Sequence, residues 1–277
     1  MITRIHHVAI VVRRLEEALG VYRDILGLPV GTRATVADQG VHAALLPMGD
    51  GEIELLEPTD PAGGVGRFLE RRGEGLHHVC FETPDIASAL EEARSANLPL
   101  IDQAPRPGLA GVIAFLHPKG NHGVLVELAQ PPGSAAHPVT PPAGVQAACI
   151  AAVYVAVKDP EGAAAAYARN FGGRARAIQD DPGMGARMTE VLIGTGLVTF
   201  LTASNPGSPV ARFVAERGEG LYGVCLKVAD LGAALQYLKE AGIPVEVRGG
   251  NTARPLACLD PSRLHGVNLF LCPLSGN

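Results

Sequence analysis

Four residues of metal-binding type stand one to a strand-like run. His7 lies in the run from Ile5 to Val12, Glu54 in Glu52 to Leu56, His78 in His77 to Glu82, and Glu127 in Gly123 to Ala129. Alternate residues of a strand share a face. His7 therefore goes with Ala9 and Val11, Glu54 with Glu52 and Leu56, His78 with Cys80 and Glu82, and Glu127 with Leu125 and Ala129. Each run can aim one imidazole or carboxylate at a common face among mostly small or apolar neighbours. Glu127 is the most informative, because it interrupts Val124-Leu125-Val126-Glu127-Leu128. Burying a bare carboxylate is costly, and a divalent cation bound by two His and two Glu would satisfy it. Any one of the four, taken alone, reads as a structural or solvent-facing residue. The set, at equivalent places of a repeated unit, reads as a site.

The unit that positions them recurs. Arg72-Gly73-Glu74-Gly75-Leu76 returns as Arg217-Gly218-Glu219-Gly220-Leu221, an offset of 145 that also maps Val79-Cys80 onto Val224-Cys225 and Arg67-Phe68 onto Arg212-Phe213. Near the C-terminus the offset is 143, where His122-Gly123-Val124 matches His265-Gly266-Val267. Between the copies, Gln130 to Gly144 is rich in Pro, Gly and small residues and reads as a linker. The domains are thus expected at 1–130 and 145–277, with 131–144 between them. Within the first, the order is a strand, a helix from Leu15 to Leu26, strands Val41 to Leu46 and Glu52 to Leu56, then strand His77 to Glu82, a helix from Asp85 to Ala96, and strands Val112 to Leu116 and Gly123 to Ala129. Helical spacing of apolar residues and period-two alternation distinguish the two kinds of element. The fold class is α+β: a βαβββ module used twice per domain and four times in all, its sheets curved and its helices outside.

Composition removes several classes of function. Charged residues make up 18% and the net charge is −5, so no basic excess exists to hold nucleic acid or an anionic membrane. No apolar run reaches the roughly 18 residues of a membrane span. Cys80, Cys149, Cys225, Cys258 and Cys272 include no CxxC pair and read as free thiols in a reducing cytoplasm.

His7-Val8-Ala9-Ile10, Ile53-Glu54-Leu55-Leu56-Glu57-Pro58, Gly75-Leu76-His77-His78-Val79, and His117-Pro118-Lys119 with Gly123 to Leu128 resemble the methylmalonyl-CoA epimerases of the glyoxalase/vicinal-oxygen-chelate superfamily. The resemblance covers nearly all of residues 1–130. It implies that His7, Glu54, His78 and Glu127 hold one divalent ion (cobalt, nickel, manganese or zinc) and that the substrate is an acyl-CoA thioester. His6 and His77 face the other way on their strands and are poorer candidates. Residues 145–277 are similar to the superfamily in framework only. The offsets turn His7 into Ala152, Glu54 into Thr199, His78 into Gly223 and Glu127 into Phe270, so this half reads as a degenerate copy without metal ligands. Single-domain relatives in the superfamily often pair as dimers, so this half is read as supplying a partner surface within the chain; a homodimer of the whole chain is compatible with that reading.

The chemistry implied is proton abstraction next to a thioester carbonyl, with the metal as Lewis acid. Some bacterial epimerases place a catalytic Glu where this chain has Ala43. Glu127, as ligand and base, is then the first catalytic candidate and Glu52 the second, with His42 poorly aimed. Arg67, Arg71 and Arg72 could hold CoA phosphates, but the recurrence of Arg67 and Arg72 as Arg212 and Arg217 favours a role in the fold. The alternatives are a glyoxalase-type lyase, which shares the ligand set, and a non-catalytic protein that sequesters small molecules. A ring-cleaving dioxygenase fits poorly, because such enzymes hold iron with two His and one carboxylate, usually in the second domain.

Overall fold

The computed structural model describes residues 1–133, 143–248 and 255–274. The central part of the Pro-rich linker, 134–142, lies outside the described residues. The first copy runs β1 (Arg4–Val11), α1 (Leu15–Tyr22), β2 (Thr32–Val36), β3 (Val41–Met48), β4 (Gly51–Pro58), α2 (Gly64–Arg72), β5 (Gly75–Glu82), α3 (Ile86–Ser95), β6 (Arg106–Gly108), β7 (Gly111–Leu116) and β8 (Leu125–Gln130). The second runs β9 (Ala147–Ala156), α4 (Pro160–Phe171), β10 (Arg174–Ala175), β11 (Gln179–Asp181), β12 (Ala186–Ile193), β13 (Gly196–Ala203), α5 (Pro209–Arg217), β14 (Gly220–Val228), α6 (Leu231–Glu240), β15 (Val245–Arg248), β16 (Leu256–Leu259) and β17 (Asn268–Pro273). The sheets have the orders β2-β3-β4-β1-β5-β8-β7-β6 and β10-β12-β13-β9-β14-β17-β16-β15, with β11 on β12. In each module the first strand pairs in parallel with the last, as β1 does with β4 and β5 with β8, while the hairpins between are antiparallel. The architecture is the expected α+β repetition of βαβββ modules.

Local chemistry explains the element ends. Asp85, Asp159 and Asp230 each accept a backbone N–H three residues on and so cap α3, α4 and α6. Helix α1 has Arg14 at its cap and no such side chain. Instead the Glu57 carboxylate accepts from Leu15 N at 2.6 Å. This helix is shorter than its apolar spacing suggests: it ends at Tyr22, and the chain turns through Leu28 N to Tyr22 O at 3.0 Å, with Gly27 at φ 74°. Edge strands β2 and β6 have no apolar run to mark them and were not foreseen. No helix among the described residues is long and apolar enough to cross a membrane.

The chain divides into two compact units, and each draws on both sequence copies. One comprises Met1–His6, His78–Ser134 and Ala152–Tyr222, the other His7–His77, Ala135–Ala151 and Gly223–Asn277. Each has the same internal fastenings. In the first, Tyr167 Oη donates to Asn121 O at 3.2 Å, Lys158 N donates to Glu219 Oε1 at 2.7 Å, and His122 Nδ1 lies 3.7 Å from Glu219 Oε2. In the second, Tyr22 Oη donates to Leu264 O at 3.1 Å, Arg13 N to Glu74 Oε1 at 2.7 Å, and His265 Nδ1 lies 3.0 Å from the same oxygen. Burial pushes both phenols far above their usual range, so they remain donors. Removing either hydroxyl leaves its carbonyl with one backbone donor only, Val267 N on Leu264 O and Val124 N on Asn121 O. Tyr22→Phe and Tyr167→Phe should each cost about 1–2 kcal/mol, measured as a fall in the urea midpoint at unchanged slope. A change under about 0.3 kcal/mol in both would show that these bonds do not fasten the modules.

Candidate metal centre

The register of β1, β3 and β4 places a group of side chains on one face. His7 is the partner of Glu52, Ala9 of Glu54 and Val11 of Leu56, while Leu45 lies opposite Glu54 and Ala43 opposite Leu56. His7 Nε2 lies 3.5 Å from Glu54 Oε2, and both residues are buried. The same construction appears on β5, β7 and β8. His78 is the partner of Leu125 and Cys80 of Glu127, with Phe115 opposite Glu127 on the other side. His78 Nε2 lies 2.8 Å from Glu127 Oε2, again with both residues buried, and the Phe115 ring meets the imidazole edge-on at 5.3 Å. His7 with Glu54, and His78 with Glu127, thus form two buried imidazole–carboxylate pairs, built alike.

This donor set fits a divalent cation. Each pair offers an imidazole nitrogen and carboxylate oxygens, and a buried carboxylate carries a charge that burial penalises and a cation offsets. Mixed imidazole nitrogen and carboxylate oxygen suit zinc, cobalt, nickel and manganese alike. All four sequence candidates are buried polar residues on strands. Glu52 stands on the face of Glu54 and is half-buried. Ala43 is buried on that face, and its methyl carries no proton-transfer group. His42 is exposed and its Nδ1 lies 2.9 Å from Thr35 Oγ1, away from the face of Ala43.

His6 is buried as well. Parity puts it on the opposite face of β1 from His7, but nearly all of β1 is buried, so both faces are covered. His77 lies edge-on to Phe68 at 4.8 Å. His117 accepts from Lys119 N at 3.1 Å, as Asp260 accepts from Ser262 N at 2.9 Å, so this segment caps a turn in both copies. Arg67 donates to Ala62 O, and Arg212 repeats the bond to Gly207 O at 3.0 Å, which ties this pair of arginines to the fold.

The second copy keeps the strands without the ligands. Thr199 lies opposite Glu190, whose carboxylate is bonded to Arg176 at 2.6 Å. At Gly223 an added Cβ would meet Phe270 Cε2 at 2.6 Å, so an aromatic ring fills the place of the missing side chain.

The sequence pattern of the Glyoxalase/Bleomycin resistance protein/Dioxygenase superfamily matches residues 6–116 and again residues 149–264. Ethylmalonyl-CoA/methylmalonyl-CoA epimerase of Cereibacter sphaeroides is 38% identical over 47% of this chain and 99% of its own length. The human mitochondrial methylmalonyl-CoA epimerase is 34% identical over 46% of this chain and 73% of its own. A variant of 4-hydroxymandelate synthase from Streptomyces coelicolor superposes with a TM-score of 0.77, covering 98% of this chain and 92% of that one at 18% identity, a likeness of fold.

Proposed function

The chain belongs to the Glyoxalase/Bleomycin resistance protein/Dioxygenase superfamily, with one copy of the domain in each half, and from that premise we propose that it is a metal-dependent epimerase acting on a 2-alkylmalonyl-CoA such as methylmalonyl-CoA. The observation that carries the reading is the two buried imidazole–carboxylate pairs, His7 with Glu54 and His78 with Glu127, in the half that resembles the epimerases. His7, Glu54, His78 and Glu127 would hold the ion. When bound, it supplies Lewis acidity that stabilises negative charge gathering on the substrate's thioester and carboxylate oxygens.

The protein's own groups move the proton. A C2 hydrogen flanked by a thioester carbonyl and a carboxylate is acidic enough for a carboxylate base. Glu127 takes that proton, breaking the C2–H bond and leaving the electron pair delocalised over the carbonyl. A proton returned to the opposite face of C2 completes inversion. Glu52 is the group for that step, since Ala43 cannot serve. Apolar side chains stand beside the carboxylates, Leu45 opposite Glu54 and Phe115 opposite Glu127, and would limit bulk water there. In this reading 1–130 is the metal-binding domain, 131–144 a linker, and 145–277 a degenerate domain that serves the fold.

The test is deuterium uptake. Protein loaded with Mn(II) to about one ion per chain, incubated with one methylmalonyl-CoA epimer in deuterated water, should yield the other epimer with deuterium at C2. Bound Mn(II) without exchange on methylmalonyl- or ethylmalonyl-CoA would sink the epimerase and leave the glyoxalase-type lyase to be assayed.

A further inference from the structure

Between Leu100 and Arg106 the first copy carries three residues that the second lacks. Leu100 is opposite Leu116 and Arg106 opposite Ile113, so six steps of chain run beside three. In the second copy Val245 is opposite Leu259 and Arg248 opposite Leu256, three steps beside three. The longer path breaks the ladder beside Phe115, whose backbone groups still need partners on the side of β7 away from β8. Asp102, within the added stretch, supplies them. Its Oδ2 accepts from Phe115 N at 2.9 Å, while Ile101 N and Asp102 N donate to Phe115 O at 2.9 and 3.2 Å.

The second oxygen of the same carboxylate has another task. Asp102 Oδ1 accepts from Arg106 Nε at 3.1 Å, and the Arg106 guanidinium lies over the Phe115 ring, with Cζ 5.7 Å from its centroid. One carboxylate thus holds both the backbone of Phe115 and the cation above its ring. That ring in turn meets the His78 imidazole with the two planes at 87°, and Phe115 is opposite Glu127 in the ladder. All five residues belong to the unit that includes His78–Ser134.

Comparison of the copies separates the arginine from the rest. Arg248 stands at the register of Arg106 and pairs with Glu246 of its own strand at 2.8 Å. Cys258, however, takes the place of Phe115, just as Gly223 and Phe270 take those of His78 and Glu127. The arginine is common to the fold. The acid in the added stretch and the aromatic ring accompany the imidazole–carboxylate pair.

We propose that Asp102, Arg106 and Phe115 are positioning residues for the divalent ion, a brace that holds the His78 imidazole ready to coordinate it beside Glu127. The proposal rests on the metal-dependent reading above. The outer torsion of a histidine is broad, so the plane of its ring is set by what it packs against. Groups behind a metal ligand fix its orientation and so set affinity. Here an aromatic ring, tied at its backbone and covered by a cation, limits the plane of an imidazole whose Nε2 lies 2.8 Å from Glu127 Oε2.

Mn(II) titrated into the full chain, with the free ion followed by electron paramagnetic resonance, is the test. Phe115→Leu keeps an apolar side chain and should weaken Mn(II) binding by about tenfold or more. Phe115→Tyr keeps the ring and should hold most of the affinity. Asp102→Asn keeps the size but loses the charge that holds Arg106, and should weaken binding in the same direction by a smaller factor. Tyr22→Phe, destabilised by the loss of a hydrogen bond outside this cluster, should bind Mn(II) as the unaltered protein does. Unchanged affinity in both Phe115→Leu and Asp102→Asn, or a loss in Phe115→Tyr or Tyr22→Phe equal to that in Phe115→Leu, overturns the brace and leaves the metal-dependent reading standing. No Mn(II) binding by the unaltered protein overturns that reading and the brace with it.

Discussion

Glu127→Gln should lower exchange of the C2 proton of methylmalonyl-CoA by about two orders of magnitude or more, with the chain still folded. Glu127 is buried between Val126 and Leu128 on β8, with its carboxylate 2.8 Å from His78 Nε2. A carboxylate gains nothing from that setting unless a cation or a proton-transfer role is matched to it. Glutamine keeps the shape and one oxygen donor and removes both the charge and the basicity. The two roles separate experimentally. If Glu127 only binds the ion, Mn(II) affinity falls and exchange at saturating Mn(II) largely survives. If it is also the base, exchange collapses with the ion in place. Unchanged Mn(II) content together with unchanged exchange would refute both roles and the location of the active site. The same assay on Glu52→Gln separates the return step: loss of epimer conversion with C2 exchange retained points to proton delivery on the second face.

Much of this site was legible because strand parity is a strong constraint. A period of two settles which neighbours share a face with His7, Glu54, His78 and Glu127 within each run, and the ladders pair His7 with Glu52 and His78 with Leu125. Parity says nothing about whether the opposite face is covered, and His6, on the other face of β1 from His7, is buried too. Duplication was legible from the offsets of 145 and 143. Which module packs with which was not. Repeated modules carry near-equivalent apolar faces, so the sequence cannot choose between packing within a copy and packing across copies. The compact units cut across the Pro-rich boundary that suggested a simple division.

The exchange of modules has a direct consequence for two glycines. Gly73 and Gly123 both have positive φ, at 72° and 79°, and Gly73, with ψ at −166°, lies in a region that is essentially glycine's own. Alanine at either suffers backbone strain of about 1–3 kcal/mol. Their surroundings differ. Nothing lies within 4 Å of a Cβ built on Gly73, whereas a Cβ on Gly123 would lie 2.0 Å from Glu219 O and 2.6 Å from Glu219 C. Those are backbone atoms from the other sequence copy and cannot rotate away. Gly123→Ala should therefore destabilise by about 3 kcal/mol or more, the strain plus an overpacking cost of about 1–3 kcal/mol, while Gly73→Ala loses only the first part. Gly266, at φ 75° with Glu74 O at 2.6 Å from its Cβ, is the equivalent position in the other unit and should behave like Gly123. Chemical denaturation of the three variants measures the difference. Equal losses for Gly73→Ala and Gly123→Ala would mean that Gly123 does not approach Glu219 in solution, and that the modules of the two copies are not packed against each other at that point.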